Sequence, residues 1–361
     1  MVESRRASGS DTSASTTSTQ SASQPTRLPR LTSLRAFAAF YVFTDHLALF
    51  NILGHGQLPM RIGFSAVCFF FIISGFVLTW GASEMAATSF YRRRLARIYP
   101  SYLFVLIVAM LVPVNVGNGP VDAKTGAITA GLVQSWAIHN PNTPFAVNGV
   151  SWSLSCEAFF YLAFPLLVRL FIRLRPMWRW GLALGWWALC SIYVLHGGQH
   201  DFPVDYTNPI VRSSEFIVGI VAALEVRRGW RLPPWAAVLI GAGALGGTAV
   251  VSKAIPSPNV PMAPLFFVIV IMCAQLDLSR DHGLLRTKWL VYAGEVSYCF
   301  YLVQLVIILN LRSAVGTGPW AALALLAVAS ASAVVLHHTI ERPCQRLILG
   351  QWPVPVLRWR T

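Results

Sequence analysis

Residues 62–82 read Ile62-Gly63-Phe64-Ser65-Ala66-Val67-Cys68-Phe69-Phe70-Phe71-Ile72-Ile73-Ser74-Gly75-Phe76-Val77-Leu78-Thr79-Trp80-Gly81-Ala82, without one charged side chain. A helix needs roughly 20 apolar residues to cross a bilayer, and this stretch supplies them. Working outward, similar runs occupy about 34–52, 99–116, 152–172, 179–196, 209–226, 235–251, 261–276, 289–311 and 319–340. Backbone groups cannot stay unpaired in lipid, so such runs fold as helices. The expected fold is an all-α polytopic membrane bundle of about ten transmembrane helices.

Composition agrees. Of 361 residues, 55% are hydrophobic and only 12% charged, with a mean hydropathy of +0.57. Soluble domains carry about 25% charged residues. An ordinary cytosolic enzyme, a disordered chain and a secreted disulfide scaffold are thereby disfavoured. Lys and Arg total 28 against 14 acidic residues, a formal charge of +14. On a soluble domain that excess would suggest nucleic acid. Here the basic residues cluster between apolar runs, as membrane topology requires, so no nucleic-acid partner is expected.

The clusters at Arg92–Arg97, Arg169–Arg179, Arg227–Arg231, Arg280–Lys288 and Arg342–Arg360 should share the cytoplasmic face. They do so if the N-terminus is cytoplasmic, ten helices span, and the shorter run 126–139 does not. Residues 113–151 then form an outer-face segment with a short non-spanning helix, and both termini are cytoplasmic. Residues 1–30, rich in Ser and Thr, cannot bury a core and read as a disordered cytoplasmic tail. They lack the apolar centre of a secretory signal. Residues 31–345 form the transmembrane domain and 346–361 a short basic tail, with no appended soluble domain expected. The six cysteines form no CxxC pair and read as buried free thiols.

Ionisable groups within membrane helices are costly and ask for a reason. The first run contains Arg35 and His46. Eleven residues make three turns plus about 20°, so both share a face, about 16 Å apart along the axis. His46 reads either as a hydrogen-bonding core residue or as a proton acceptor near neutral pH. Asp45 either raises its basicity or faces another helix. Arg92, Arg93, Arg94 and Arg97 read either as a topology anchor or as a phosphate site, since guanidinium matches phosphate oxygens bidentately. Ser151, Ser153, Ser155 and Glu157 open another run, with Ser153 and Glu157 on one face. They suit a polar cavity or helix–helix hydrogen bonding. Arg212 and Glu215 fit a structural pair. Ser297, Tyr298, Tyr301 and Gln304 form a polar stripe, and Glu341-Arg342-Pro343 closes the last run.

In order, these motifs resemble the acyltransferase-3 family of integral membrane O-acyltransferases. The resemblance runs from about Leu31 to Pro343. Arg35 and His46 match its first helix, and Phe70-Phe71-Ile72-Ile73-Ser74-Gly75-Phe76 its FF-x-x-SGF stretch. Arg93, Arg94, Arg97, Ile98 and Pro100 match its basic loop. Trp152 to Glu157 match WSLS-x-E, Ser297 to Leu302 match SY-x-x-YL, and Glu341 with Pro343 the closing E-x-P. Two positions depart: Thr32 replaces an acidic residue, and Gln304 often a histidine. Glutamine takes up no proton at pH 7, so Gln304 has no acid–base role.

The resemblance implies acyl transfer, commonly acetyl from acetyl-CoA, to a hydroxyl. Acceptors would be cell-envelope sugars or glycosylated secondary metabolites such as macrolides, and the setting a bacterial-type plasma membrane. It implies His46, Arg35 and Glu157 as catalytic residues, and Arg93, Arg94 and Arg97 as the acyl-CoA phosphate site. Trp152, Ser153 and Tyr298 would bind the sugar or glycoside acceptor. No metal is called for. An exporter of a glycan or metabolite is the alternative, since buried charge also suits transport. A non-catalytic scaffold would leave the spaced His, Arg and Glu unexplained. Oligomeric state is not legible.

Overall fold

The structure is a computed structural model describing residues 28–53, 63–82, 86–112, 122–137, 142–197, 206–251, 259–279 and 282–350. The N-terminal tail before residue 28 and the basic tail after 350 lie outside the described residues. Among the described residues the regular structure is entirely helical.

Ten helices of fifteen or more residues coincide with the ten apolar runs. They are α1 (Pro29–Leu49), α2 (Ala66–Trp80), α3 (Ala87–Leu111), α5 (Trp152–Arg173), α6 (Pro176–Gly197), α7 (Pro209–Arg227), α8 (Pro234–Val251), α9 (Asn259–Leu278), α10 (Lys288–Val315) and α11 (Pro319–Leu336). The run 126–139 becomes α4 (Ala123–Ala130), eight residues capped by the Asp122 carboxylate on the Thr125 amide, then a 3-10 turn. Eight residues rise about 12 Å, too short to span a bilayer. The Asp122 carboxyl is held below the usual carboxylate range by that Thr125 bond.

Five of the helices are long and apolar enough to cross a membrane: α3, α5, α9, α10, and α11 with its continuation to Ile348. The segments Ala66–Trp80 and Pro234–Thr248 are apolar but shorter. Helices α1 and α7 carry buried ionisable groups, among them Arg30, Asp45 and His46 on α1 and Arg212, Glu215 and Glu225 on α7. They therefore face the bundle interior rather than lipid along those positions. This is an integral membrane protein with at least that helical complement.

Proline opens α1, α6, α7, α8 and α11, where its missing N–H has no partner to lose. The basic stretch read as a loop is instead the first turns of α3, which runs straight through Pro100. Arg and Leu are good helix formers, and the helix needs no apolar face before it reaches lipid.

Two crossings fix the centre. A Cβ on Gly75 of α2 would collide with the Phe216 carbonyl, and one on Gly219 of α7 with the Ile72 carbonyl. The two backbones therefore touch, as small residues allow in membranes. Gly294 of α10 meets the Thr32 carbonyl of α1 in the same way. Buried ion pairs tie the periphery. Arg30 of α1 pairs with Asp277 of α9 at 3.3 Å, and Arg179 of α6 with Glu225 of α7 at 2.8 Å. The last long helix ends in a π turn at His337–Glu341 before α12 (Arg342–Ile348).

Candidate active site

A cavity of about 1620 Å³ lies where α1, α2, α3, α5, α7 and α10 converge. Arg35 of α1 and Arg93, Arg94 and Arg97 of α3 line it, with Arg169, Arg227, Arg286 and Lys288 on the other walls. Four of the basic clusters seen in the sequence thus reach one cavity and lie at one end of the bundle.

The four arginines from α1 and α3 differ from the interior arginines elsewhere. Arg30, Arg179 and Arg212 each hold a carboxylate at 2.8–3.3 Å. Among the described residues, Arg35, Arg93, Arg94 and Arg97 form no ion pair within 4.0 Å. Arg94 carries a buried Nε without a hydrogen-bond partner and lies over the Phe90 ring at 6.0 Å. Its i, i+3 spacing with Arg97 on one helix turns both into the cavity. Unpaired, partly enclosed guanidinium groups suit a polyanionic ligand.

Arg35 has Arg97, Glu157 and Glu341 as its electrostatic neighbours. Glu157, on α5, accepts from the Ser74 hydroxyl at 3.0 Å and the Tyr161 hydroxyl at 3.3 Å. The carboxylate therefore joins the arginine group rather than the His46 ring. The Tyr161 bond follows from i, i+4 spacing. Ser74 sits across the bundle, and nothing local to α5 announces it.

His46 lies farther along α1, buried, and does not line the cavity. Its Nδ1 is 3.4 Å from Gln304 Oε1 on α10. Asp45 points elsewhere, accepting from the Gly63 amide at 3.2 Å. The structure thus brings Arg35, Arg93, Arg94, Arg97 and Glu157 together and leaves His46 apart from them.

The three residues assigned to the acceptor also lie outside the cavity lining. Trp152 packs 6.2 Å from Phe71 and 4.6 Å from Tyr206, and the three rings surround the Arg212 guanidinium. The Arg212–Glu215 pair read from the sequence is present at 3.0 Å. Ser153 bonds the Tyr301 hydroxyl at 2.8 Å and donates to the Val150 carbonyl. Tyr298 donates to the Ile98 carbonyl at 2.8 Å, tying α10 to α3. The Ser153 and Tyr298 hydroxyls are thus engaged in contacts between helices.

One cluster went unread in the sequence. Cys299, His337 and Glu341 place ligand-type atoms within 4.8 Å of one another. The carboxylate already takes the His337 Nδ1 at 2.7 Å and the Cys299 thiol at 3.0 Å. With Arg35 and Arg97 as electrostatic neighbours, Glu341 serves as a counter-charge. His337 and Glu341, at the two ends of the π turn, are both buried.

A family described as an acyltransferase domain, the acyltransferase-3 family, matches residues 28–338. The acyltransferase MdmB of Streptomyces mycarofaciens is 34% identical over 372 residues, covering 91% of this chain and 94% of its own. Nodulation protein 10 of Rhizobium leguminosarum bv. viciae is 28% identical over 356 residues, covering 87% and 92%. The O-acetyltransferase OatA of Staphylococcus aureus is 30% identical over 168 residues, 42% of this chain and 26% of its own. No solved structure matches the chain.

Proposed function

The chain belongs to the acyltransferase-3 family of acyltransferase domains, and from that premise we propose that it is an acyl-CoA-dependent membrane O-acyltransferase. Acetyl-CoA is the donor and a sugar hydroxyl the acceptor, on a cell-envelope glycan or a glycosylated secondary metabolite such as a macrolide. The observation that carries this reading is the cavity lined by Arg35, Arg93, Arg94 and Arg97, which form no ion pair within 4.0 Å among the described residues. A CoA molecule brings phosphate charge to such a site and extends a thioester on a long thin arm. A relative named as an acyltransferase, matching along nearly the whole chain, supports the same class.

Arg93, Arg94 and Arg97 hold the donor's phosphates. The arm passes Arg35 and follows α1 towards His46, a rise of about 16 Å. His46 Nε2 takes the proton of the acceptor hydroxyl as its oxygen bonds to the acyl carbon. The carbon–sulfur bond then breaks, and the leaving CoA sulfur recovers that proton from the imidazolium. Arg35 stabilises negative charge on the donor. Glu157, held by Ser74 and Tyr161, keeps Arg35 and Arg97 oriented. Ten spans in the plasma membrane, with the cavity and both termini cytoplasmic, bring donor and acceptor to opposite ends of α1.

The test compares glycans and secreted metabolites by mass spectrometry from cells expressing this chain or its His46→Ala variant at equal membrane levels. An acyl-mass increment seen only with the intact histidine is expected, and its carrier names the acceptor. Retained activity in the variant would remove His46 as the base. A product that changes compartment at unchanged mass would favour export instead.

A further inference from the structure

A buried carboxamide stands against the ring of His46. Gln304 of α10 is fully enclosed, at 0% exposure, and its Oε1 lies 3.4 Å from His46 Nδ1. The two residues are 258 apart in the chain, so two separate helices had to be positioned to make this contact. A carboxamide oxygen only accepts hydrogen bonds. With the amide oxygen on this side, the contact pairs it with the hydrogen of a neutral imidazole on Nδ1 and leaves the lone pair on Nε2; a reversed amide would reverse the tautomer. That second nitrogen makes no hydrogen bond among the described residues.

The other end of the same amide points the same way. Gln304 Nε2 is buried without a partner, leaving two N–H donors unused. A glutamine present only to join helices would satisfy both ends, because buried polar groups are almost always paired. Here one end is given to the histidine and the other is free for an oxygen arriving beside it.

Among the described residues, no charged side chain takes this place beside the ring. On α1, Asp45 is engaged with the Gly63 amide. Helix α2 carries no Asp, Glu, Lys, Arg or His. On α10, the Tyr298 and Tyr301 hydroxyls are bonded to Ile98 and to Ser153 and Val150, Glu295 pairs with Arg342, and Arg312 lies over Phe50. Asp277 of α9 pairs with Arg30 and lies near Arg286 of the 3-10 turn Leu284–Arg286.

We propose that Gln304 is a positioning residue that fixes His46 in its Nδ1–H tautomer and turns Nε2 towards the acceptor hydroxyl. The proposal rests on the reading of His46 as the base, and its test has a readout independent of turnover. Protein labelled with nitrogen-15 histidine is examined by NMR, the His46 signals being assigned by their loss in His46→Ala. The native protein should show Nδ1–H at His46, and Gln304→Leu should shift the signal to the other tautomer or a mixture. An Nε2–H signal in the native protein, as the reversed amide would give, overturns the proposal. So does an unchanged tautomer in Gln304→Leu.

Activity supplies the second arm, using the acyl-mass increment from cells. Gln304→Leu should lower it at least about tenfold, a part of what a general base contributes. Acetyl-CoA affinity should stay unchanged, which also reports a folded protein. Gln304→Glu can only accept when ionised, so it should restore transfer. Its acid limb should move up by about one pH unit, as an opposite charge beside the ring dictates. Full activity in Gln304→Leu would overturn the positioning role. Activity surviving His46→Ala would instead sink the base assignment, leaving the tautomer measurement to stand or fall alone.

Discussion

At the scale of single residues, the arginines sort into two groups by their partners. Arg179 is fully buried, donates to the Phe171 and Ile172 carbonyls and pairs with Glu225, so its charge is spent inside the fold. Removing one member of such a pair costs about 3–5 kcal/mol. Arg94 and Arg97 have no such commitment, and their side chains are available to a ligand. Arg94→Ala and Arg97→Ala should leave the folded fraction unchanged and each weaken acetyl-CoA binding about tenfold or more, since a charge-assisted hydrogen bond contributes about 1.5–3 kcal/mol. Calorimetric titration of purified protein checks this, and unchanged affinity would remove the phosphate assignment. Local spacing made part of this legible: Arg212 with Glu215 and Arg94 with Arg97 are one turn apart. Arg179 was counted with a surface cluster because Glu225 is 46 residues away, and distance in sequence likewise hid Gln304 behind His46.

At the scale of elements, helix existence was written in hydropathy but helix contacts were not. All ten apolar runs became helices. The largest boundary difference is α3, which begins at Ala87, twelve residues before the apolar run at 99. A polar helical turn carries no apolar signal, so periodicity could not reveal it. Nor does hydropathy separate Gly219, pressed against the Ile72 carbonyl, from Gly243 of α8, which has nothing within 4 Å. Gly219→Val should therefore lower the thermal unfolding temperature sharply, with overpacking costing about 1–3 kcal/mol or more because the obstacle is backbone. Gly243→Val should change it little. Equal shifts in a detergent melt would contradict the α2–α7 crossing.

At the scale of the whole molecule, the excess positive charge has an address. Arg93, Arg169, Arg227 and Lys288 belong to four separate clusters and line one cavity, so those clusters share one end of the bundle. Charge bias in the sequence anticipated the grouping, because retention of Arg and Lys on one side is a property of insertion rather than of packing. That end is expected to be cytoplasmic. His282 and Thr317, both exposed, flank α10 at its two ends. In intact cells a membrane-impermeant thiol reagent should label Thr317→Cys, and should reach His282→Cys only after permeabilisation. The reverse pattern would invert the topology and put the arginine cavity outside.

The π turn at His337–Glu341 sets a rule for anyone building hybrids from related chains. Such a turn holds one residue more than a regular helix would. Losing one codon there would let the turn relax to regular helix with the downstream residues kept on their present faces, whereas the same loss in the regular helix before it would rotate everything downstream by about 100°. Arg342 would then swing away from Glu295, and Gln345 out of the cavity wall. A donor C-terminal segment one residue shorter must therefore take its gap inside this turn and not in the regular helix before it.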